Sequence, residues 1–208
     1  MKYSFLASDN KRTKKYLEFF EKNNIKFNYI LIYNVKRNIK YKFCNKVILF
    51  NEKFFNQKIK KKIHFLRLTN LIVSPSSGEI YKKHLMNNLN FYHCHPGKLP
   101  EFKGSCVIYY SILEKSSIHT TIFKMNNEID RGKILYQEKF KIPNFKKVQY
   151  DDFDYEIRAK TFVKFLKRKK NIKYKFKKDS NLSFYRPHPI LRILVENKII
   201  FKRLNLLN

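Results

Sequence analysis

Glycine is rare in this sequence, and tryptophan is absent. Of its 208 residues only 4 are Gly, 6 are Pro and none is Trp, which excludes Gly- or Pro-based repeats and Gly-rich linkers. Its three cysteines, Cys44, Cys94 and Cys106, cannot form an even disulfide framework, and none is spaced for a structural zinc site. These absences favour an ordinary globular chain in a reducing compartment.

Long apolar runs are also missing. The apolar stretch at the N-terminus is too short for a signal peptide, and no stretch approaches the length of a membrane span. Hydrophobic residues still make up 43% of the chain and aromatic residues 16%, which is enough to fill a core. We expect a cytoplasmic protein of one domain with a small appendage.

Acidic residues are scarce. The chain has 46 Lys and Arg against 16 Asp and Glu, which gives a formal net charge of +30. Most of these cations are Lys, whereas proteins that bind phosphates tend to use Arg for its planar fork. Lys, Asn, Ile and Phe share A/T-rich codons, so drift towards a solvated basic surface, an anionic small-molecule substrate and nucleic acid all remain open.

The order of secondary structure predicts an α/β fold. Strand-like segments occur at 3–7, 27–33, 46–50, 70–73, 90–94 and 117–123, and helical periodicity appears between several of them. Asn10 is a candidate cap for a first helix that ends near Asn23, a Lys-rich helix runs to about Leu66, and a last helix covers 155–169. Such alternation is typical of a mostly parallel twisted sheet with helices on both faces.

The rare glycines are clustered. Gly78, Gly97, Gly104 and Gly132 all lie within one stretch that also holds Pro75, Pro96 and Pro100. Glycine is required where φ is positive or where something approaches the backbone closely. We interpret this stretch as loops lined by a ligand, although turns that cluster by chance would give the same pattern.

Two histidines mark the centre of that stretch. His93 and His95 are two residues apart on a predicted strand, so they lie on one face and Cys94 lies on the other. Ligand sites of open α/β sheets lie at the carboxyl ends of strands. The pair fits two metal ligands, a general base with a polar neighbour, or two structural histidines, and the spacing does not decide between them.

A family resemblance begins at these residues. The segment 93–104, His-Cys-His-Pro-Gly-Lys-Leu-Pro-Glu-Phe-Lys-Gly, is followed by Ile-Asp-Arg-Gly at 129–132. In order and distance these motifs resemble the N10-formyltetrahydrofolate-dependent formyltransferases, most of all the short sugar N-formyltransferases. The resemblance covers roughly residues 71–143 and implies a Rossmann-like formyltransferase fold, with N10-formyltetrahydrofolate as co-substrate and no metal.

The resemblance also implies roles for three residues. His95 would be the base that takes a proton from the attacking amine, and Asp130 would orient its imidazole. Where the family has Asn two positions before this histidine, the chain has His93. A histidine can also donate to the oxygen of the tetrahedral intermediate, so we assign that role to His93, with His95 as a second candidate donor. The alternative is that the role is lost, which would leave a binding protein or a slow enzyme.

Further site residues are carried over by position in the motifs. The loop after the fourth strand and the loop before Asp130 would hold the folate, which names as cofactor-binding residues Ser76, Ser77, Gly78, Glu79, Asn127, Glu128 and Ile129. Next to the histidines, the expected substrate-binding residues are Lys98, Lys103 and Gly104.

The expected substrate is the primary amine of a nucleotide-linked amino sugar, in surface glycan (lipopolysaccharide O-antigen or capsule) biosynthesis. Methionyl-tRNA formyltransferases carry a further β-barrel domain, for which the residues after Pro143 are too few. We divide the chain into a catalytic domain, 1–178, and an extension, 179–208, that docks on it or on a homodimer partner. The alternatives are a non-sugar amine such as glycinamide ribonucleotide, a nucleic-acid-binding protein on a decayed enzyme scaffold, and a metal-dependent hydrolase using His93, Cys94 or His95.

Overall fold

A computed structural model of the chain describes residues 2–36, 46–145, 148–168 and 183–195. Cys44 lies outside these residues. The strands are β1 (Ser4–Ser8), β2 (Ile30–Tyr33), β3 (Val47–Leu49), β4 (Asn70–Ser74), β5 (Asn90–His95), β6 (Ile118–Lys124) and β7 (Lys133–Phe140). The helices are α1 (Lys11–Lys22), α2 (Gln57–Phe65), α3 (Lys83–Met86), α4 (Val107–Lys115) and α5 (Tyr150–Lys167).

The strands form one seven-stranded sheet in the order β3-β2-β1-β4-β5-β6-β7. The pairs from β3 to β5 are parallel, and β6 and β7 continue the sheet in antiparallel fashion. The predicted α/β fold, a mostly parallel sheet with helices on both faces, is confirmed. The antiparallel addition brings β6 alongside the histidine-bearing end of β5.

Alternation along the strands places a hydrophobic core on each face of the sheet. Phe5 and Ala7 of β1 pack with α1 and α5 on one face, whereas Leu6 packs with α2 and α3 on the other. Every residue of β1 and β2 is buried, as expected for central parallel strands covered on both sides. The two helical layers therefore fix the sheet rigidly beneath the loops at its carboxyl end.

Local sequence explains where the first and last helices begin. Asn10 caps α1 by accepting a hydrogen bond from the Thr13 amide at 2.9 Å, as predicted. The last helix begins at Tyr150, earlier than the periodicity indicated, with Asp151 and Asp152 in its first turn. Carboxylates there interact favourably with the helix dipole. Strand β7 was not predicted, because most of its residues are half-buried and show no clear alternation.

A segment from the predicted extension contacts the body of the chain. Phe184 forms an isolated parallel bridge with Gly104, and Val195 is buried in a cluster with Ile108 and Ile157. The division into 1–178 and 179–208 stays a prediction. Within the described ranges, no helix is both long and apolar enough to cross a membrane.

Helix α5 carries two ion pairs of the same spacing in very different surroundings. Asp154 and Arg158 pair beneath the sheet with side chains only 6% and 9% exposed. Glu156 and Lys160 pair on the outer face with side chains 37% and 47% exposed. Removing one partner of a buried pair leaves an uncompensated charge in a medium that solvates it poorly.

Asp154→Ala should therefore lower the free energy of unfolding by about 3–5 kcal/mol. The matched change on the exposed face, Glu156→Ala, should cost less than ~1 kcal/mol. Urea unfolding of both variants followed by circular dichroism measures the difference. Equal losses in the free energy of unfolding would mean that the buried pair stabilises the fold no more than the exposed pair does.

Candidate active site

Strand β5 ends beside a gap in the sheet. In its parallel pairing with β4, residues 90–92 lie opposite residues 70–72. Its antiparallel pairing with β6 extends further, to His95, which lies opposite Thr121. Beyond Tyr92 the register with β4 ends, and the ring of His93 contacts the Val73 carbonyl of β4. This places the two histidines at the point where neighbouring strands separate.

His95 is held on both sides of its ring. The residue is 3% exposed, and its Nε2 lies 2.7 Å from the carbonyl oxygen of Phe102. Its Nδ1 lies 3.4 Å from Oδ1 of Asp130. Because a carbonyl oxygen only accepts, Nε2 carries the hydrogen in the contact with Phe102. The predicted meeting of His95 and Asp130 is thus present in the structure.

Asp130 joins two loops at the site. Its backbone is in the left-handed region with φ of 55°, which turns the segment between β6 and β7 back towards β5. Its Oδ2 accepts a hydrogen bond from the amide of Gly104 at 2.9 Å, while Oδ1 faces His95. One carboxylate therefore lies against the imidazole through one oxygen and anchors the following loop through the other.

Two residues that the sequence did not single out shape this loop. Thr121 Oγ1 donates to the carbonyl of Gly97 at 2.6 Å and accepts from the amide of Leu99 at 3.1 Å. The side-chain amide of Gln137 donates to the carbonyl of Leu99 at 2.8 Å. Both lie on β6 and β7, and only the strand register that brings these residues to the loop could have revealed them.

His93 lies in a different environment from His95. It is half-buried, its ring lies edge-on to Phe123, and its Nδ1 is 3.4 Å from the carbonyl oxygen of Val73. That carbonyl can only accept, so the neutral ring carries its hydrogen on Nδ1. The other nitrogen, Nε2, then has a lone pair and makes no hydrogen bond with any described residue.

Charge and burial act together on His93. Burial lowers the pKa of His93 well below 6.5, and the positive charges of Arg158 and Arg12 lower it further, with a smaller contribution from His95. Arg158 also donates to the carbonyl of Cys94 at 3.3 Å. The cationic surroundings favour a neutral imidazole at the end of the strand.

Cys94 faces away from the two histidines, as the alternation predicted. It is fully buried in the cluster with α1 and α5, and burial raises the pKa of its thiol. A thiol that remains protonated is a poor nucleophile and a poor metal ligand. In the part of the chain that the structure describes, no group of three or more His, Cys, Asp or Glu residues is arranged to hold a metal ion.

The loop after β4 is fastened to its neighbours through the side chain of Glu79. This carboxylate accepts from the Tyr33 hydroxyl at 2.5 Å, from the Phe55 amide at 2.8 Å and from the Ser76 amide at 2.9 Å. The hydroxyl of Ser76 donates to Ser8 at 2.8 Å. The side chains of Ser76 and Glu79 thus serve the protein itself.

The remaining predicted folate-binding residues lie in exposed turns. Gly78 has a positive φ of 74°, and Ser77 is exposed beside it. In the second loop, Glu128 pairs with Arg131 at 3.1 Å. Asn127 and Ile129 are exposed, and the Ile129 residue is 62% accessible. These positions leave backbone groups and one apolar side chain open to solvent.

The predicted substrate-binding residues are dispersed. Lys98 pairs with Glu101 at 2.9 Å. Lys103 is only 1% exposed, so its side chain offers almost no surface to a substrate. Gly104 donates its amide to Asp130, and the backbone of Phe184 lies against it.

Close packing within the chain accounts for three of the four rare glycines, Gly97, Gly104 and Gly132. A Cβ on Gly97 would come within 2.7 Å of the Phe102 carbonyl and 2.9 Å of Nε2 of His95. A Cβ on Gly104 would overlap the carbonyl of Phe184. The sequence interpretation held that a ligand approaches these glycines, whereas the neighbours found there are the chain's own atoms.

The chain resembles known formyltransferases in sequence and in fold. No family profile matches the chain. It is 29% identical over 165 residues to methionyl-tRNA formyltransferase from Borrelia duttonii, covering 64% of this chain and 53% of that protein. The corresponding enzyme from Thermotoga maritima is 29% identical over 139 residues, covering 62% and 43%. The chain thus spans about half the length of the curated relatives it matches.

Solved structures extend the comparison over most of the chain. The match to a sugar N-formyltransferase from a Shewanella species spans 89% of this chain and 77% of that protein, with a TM-score of 0.58 and 19% identity. The resemblance to the formyltransferases is confirmed. A likely sugar N-formyltransferase from Mycobacterium tuberculosis covers 94%, with a TM-score of 0.57 and 12% identity. At such identities the structural likeness establishes the formyltransferase fold.

The contacts of Glu79 lead to a prediction that separates a structural role from folate binding. Glu79→Ala should lower the free energy of unfolding by about 1–3 kcal/mol, because the buried Tyr33 hydroxyl and Phe55 amide lose their acceptor. Thermal unfolding of the purified protein without added ligand measures this. The exposed carboxylate variant Glu128→Ala is the control, with an expected cost of less than ~1 kcal/mol. A fully stable Glu79→Ala protein would contradict the structural role.

Proposed function

We propose that this chain transfers the formyl group of N10-formyltetrahydrofolate to a primary amine. The observation that carries the proposal is the grouping of His93, His95 and Asp130 at the end of β5. His95 and Asp130 are in contact at 3.4 Å, and the Gly104 loop is fastened to the same carboxylate. The likeness to formyltransferases in sequence and fold supports it.

The chemistry requires what this group of side chains offers. A neutral amine attacks the formyl carbon, the carbonyl oxygen takes up negative charge, and the amine nitrogen must lose a proton. An imidazole that is unprotonated at neutral pH suits the proton transfer. The charged oxygen is stabilised by preorganised hydrogen-bond donors. Collapse of the intermediate breaks the bond to N10, which takes a proton as tetrahydrofolate leaves.

The folate fits the two loops if their backbone groups and apolar side chains bind it. The proposed contacts remain Ser76, Ser77, Gly78 and Glu79 of the first loop and Asn127, Glu128 and Ile129 of the second. Because the side chains of Ser76 and Glu79 already bind Ser8, Tyr33 and Phe55, we assign these positions backbone contacts. Ile80 and Ile129 are 65% and 62% exposed and offer apolar surface to an aromatic ring.

For the acceptor we propose the primary amine of a nucleotide-linked amino sugar, destined for surface glycans. Sugar N-formyltransferases from two organisms match most of the chain. A nucleotide diphosphate is a polyanion, and a net charge of +30 raises its local concentration and its rate of association. Lys98 and the Gly104 loop are the proposed contacts nearest the histidines.

A second acceptor has its own support. Four curated relatives that match the chain in sequence are methionyl-tRNA formyltransferases. A basic surface also suits tRNA, whose binding weakens steeply with salt. The amine of an aminoacylated tRNA is therefore the second candidate.

The acceptor can be identified by mass spectrometry. The protein is incubated with N10-formyltetrahydrofolate and, in separate reactions, with a panel of nucleotide-linked amino sugars, glycinamide ribonucleotide and methionyl-tRNA. Each product is examined for the mass of one added formyl group. We expect formylation of an amino sugar; formylation of methionyl-tRNA alone would establish the second candidate, and no formylation of any acceptor would overturn the proposal.

Asp130→Asn and His95→Asn should each lower kcat for formyl transfer by ~10²–10³-fold, the usual cost of losing a preorganised polar group at a reacting centre. The exposed histidine variant His64→Asn, on α2, is the matched control and should retain the wild-type rate. Steady-state kinetics with the acceptor found by mass spectrometry measures all three. Unchanged rates in Asp130→Asn and His95→Asn would remove this group from the mechanism.

We also propose that a second copy of the chain covers part of the C-terminal extension. Residues 189–195 are helical, with Leu191 and Val195 turned towards the body of the protein. Ile190, Ile193 and Leu194 are each more than half exposed. Sedimentation velocity should show a dimer for the wild type and a shift towards monomer for Ile193→Asp.

A further inference from the structure

We propose that His93, rather than His95, accepts the proton that the attacking amine loses. The inference rests on the proposed function and concerns a residue that stands where the family has an asparagine. It assigns the chain a proton acceptor that an asparagine could not supply, because an amide does not titrate in water.

The tautomer of His93 gives the first part of the argument. The contact of its Nδ1 with the Val73 carbonyl, at 3.4 Å, requires the hydrogen on that nitrogen. A neutral imidazole has one N–H, so Nε2 is left with a lone pair. A nitrogen in that state can accept a proton and cannot donate a hydrogen bond to a charged oxygen. This geometry opposes the donor role that the sequence predicted for His93.

The surroundings of His95 give the second part. Its Nε2 is 2.7 Å from the Phe102 carbonyl and its Nδ1 faces Asp130 at 3.4 Å, so both nitrogens lie against oxygen atoms of the chain itself. At 3% exposure the ring also offers little surface to an incoming amine. His93 is more exposed, and its Nε2 has no hydrogen-bond partner among the described residues.

The charges around His93 keep its imidazole unprotonated at neutral pH. Arg158 on α5, Arg12 on α1 and His95 on β5 are the charged or titratable groups that act on it, and all lower its pKa. The neighbours from β4 and β6, Val73 and Phe123, carry no charge. In the free protein His93 is therefore neutral at pH 7, with an unprotonated Nε2.

The proton transfer balances within one catalytic cycle. The amine nitrogen forms a bond to the formyl carbon, the carbonyl π electrons move to oxygen, and the amine proton moves to Nε2 of His93. The oxygen lone pair then re-forms the carbonyl as the bond to N10 breaks. The proton passes from His93 to N10, so the products are the formamide, tetrahydrofolate and neutral His93.

The tautomer can be tested on the full chain without any substrate. The protein is labelled with ¹⁵N-histidine, the imidazole signals are recorded from pH 5 to 8, and the His93 signals are assigned by their loss in His93→Asn. We expect the shifts of an Nδ1–H tautomer and a titration midpoint below 6.5. A ring protonated on Nε2 at neutral pH would overturn the proposal, whatever activity the protein has.

Kinetics tests the role directly. With the acceptor that the wild type formylates, His93→Asn restores the residue of the family but removes the titrating group. We expect kcat to fall by ~10²–10⁴-fold, the usual contribution of acid–base catalysis, and the acidic limb of the wild-type pH profile, below pH 6.5, to disappear. His119→Asn is the control, because His119 is also a half-buried strand histidine whose pKa burial lowers.

The outcomes separate this inference from the proposed function. An active wild type whose His93→Asn variant keeps both its rate and its acidic limb would overturn the role of His93 alone. A wild type that formylates none of the acceptors would overturn the proposed function and the role of His93 with it. Loss of the limb only in His93→Asn, and not in His119→Asn, would establish the proton acceptor.

Discussion

The carboxylate of Asp130 is the connection on which the geometry of the site depends. It faces Nδ1 of His95 through one oxygen and accepts the Gly104 amide through the other. These groups come from a strand end, from the loop that follows it and from the connection between β6 and β7. A left-handed backbone at Asp130 itself makes the double contact possible. The positions of imidazole, loop and carboxylate are therefore mutually determined.

Much of the fold followed from the sequence because the pattern of buried residues is strong where the sheet is covered on both faces. The segments that became β1, β4 and β5 were recognisable from their continuous or alternating apolar residues. Strand β7 was missed because it lies at the edge of the sheet, half-buried, where burial does not impose a period. The start of α5 was placed late because charged residues occupy its first turn.

The candidate site was foreseeable in part. The spacing of His93 and His95 on one strand, with Cys94 opposite, is a local property that alternation determines. The hydrogen-bond partners are not local: Val73, Phe102 and Thr121 act through backbone groups or through strand register, and neither leaves a motif in the chain. The family resemblance implied that His93 is a hydrogen-bond donor to the intermediate, whereas its contact with the Val73 carbonyl uses the hydrogen on Nδ1. The substrate contacts were harder to predict from the sequence, since Lys103 was expected to bind the substrate yet is buried.

The bridge between Phe184 and Gly104 has a consequence for the order in which the protein is assembled. The Phe184 amide donates to the Lys103 carbonyl, and the Ser105 amide donates to the Phe184 carbonyl, each at 2.8 Å. The Phe184 ring also lies against Phe102 and Tyr110. Because Phe184 comes late in the chain, the Gly104 loop is synthesised before the segment that braces it. Until Phe184 has left the ribosome, the Gly104 loop lacks these two backbone hydrogen bonds and the ring contacts.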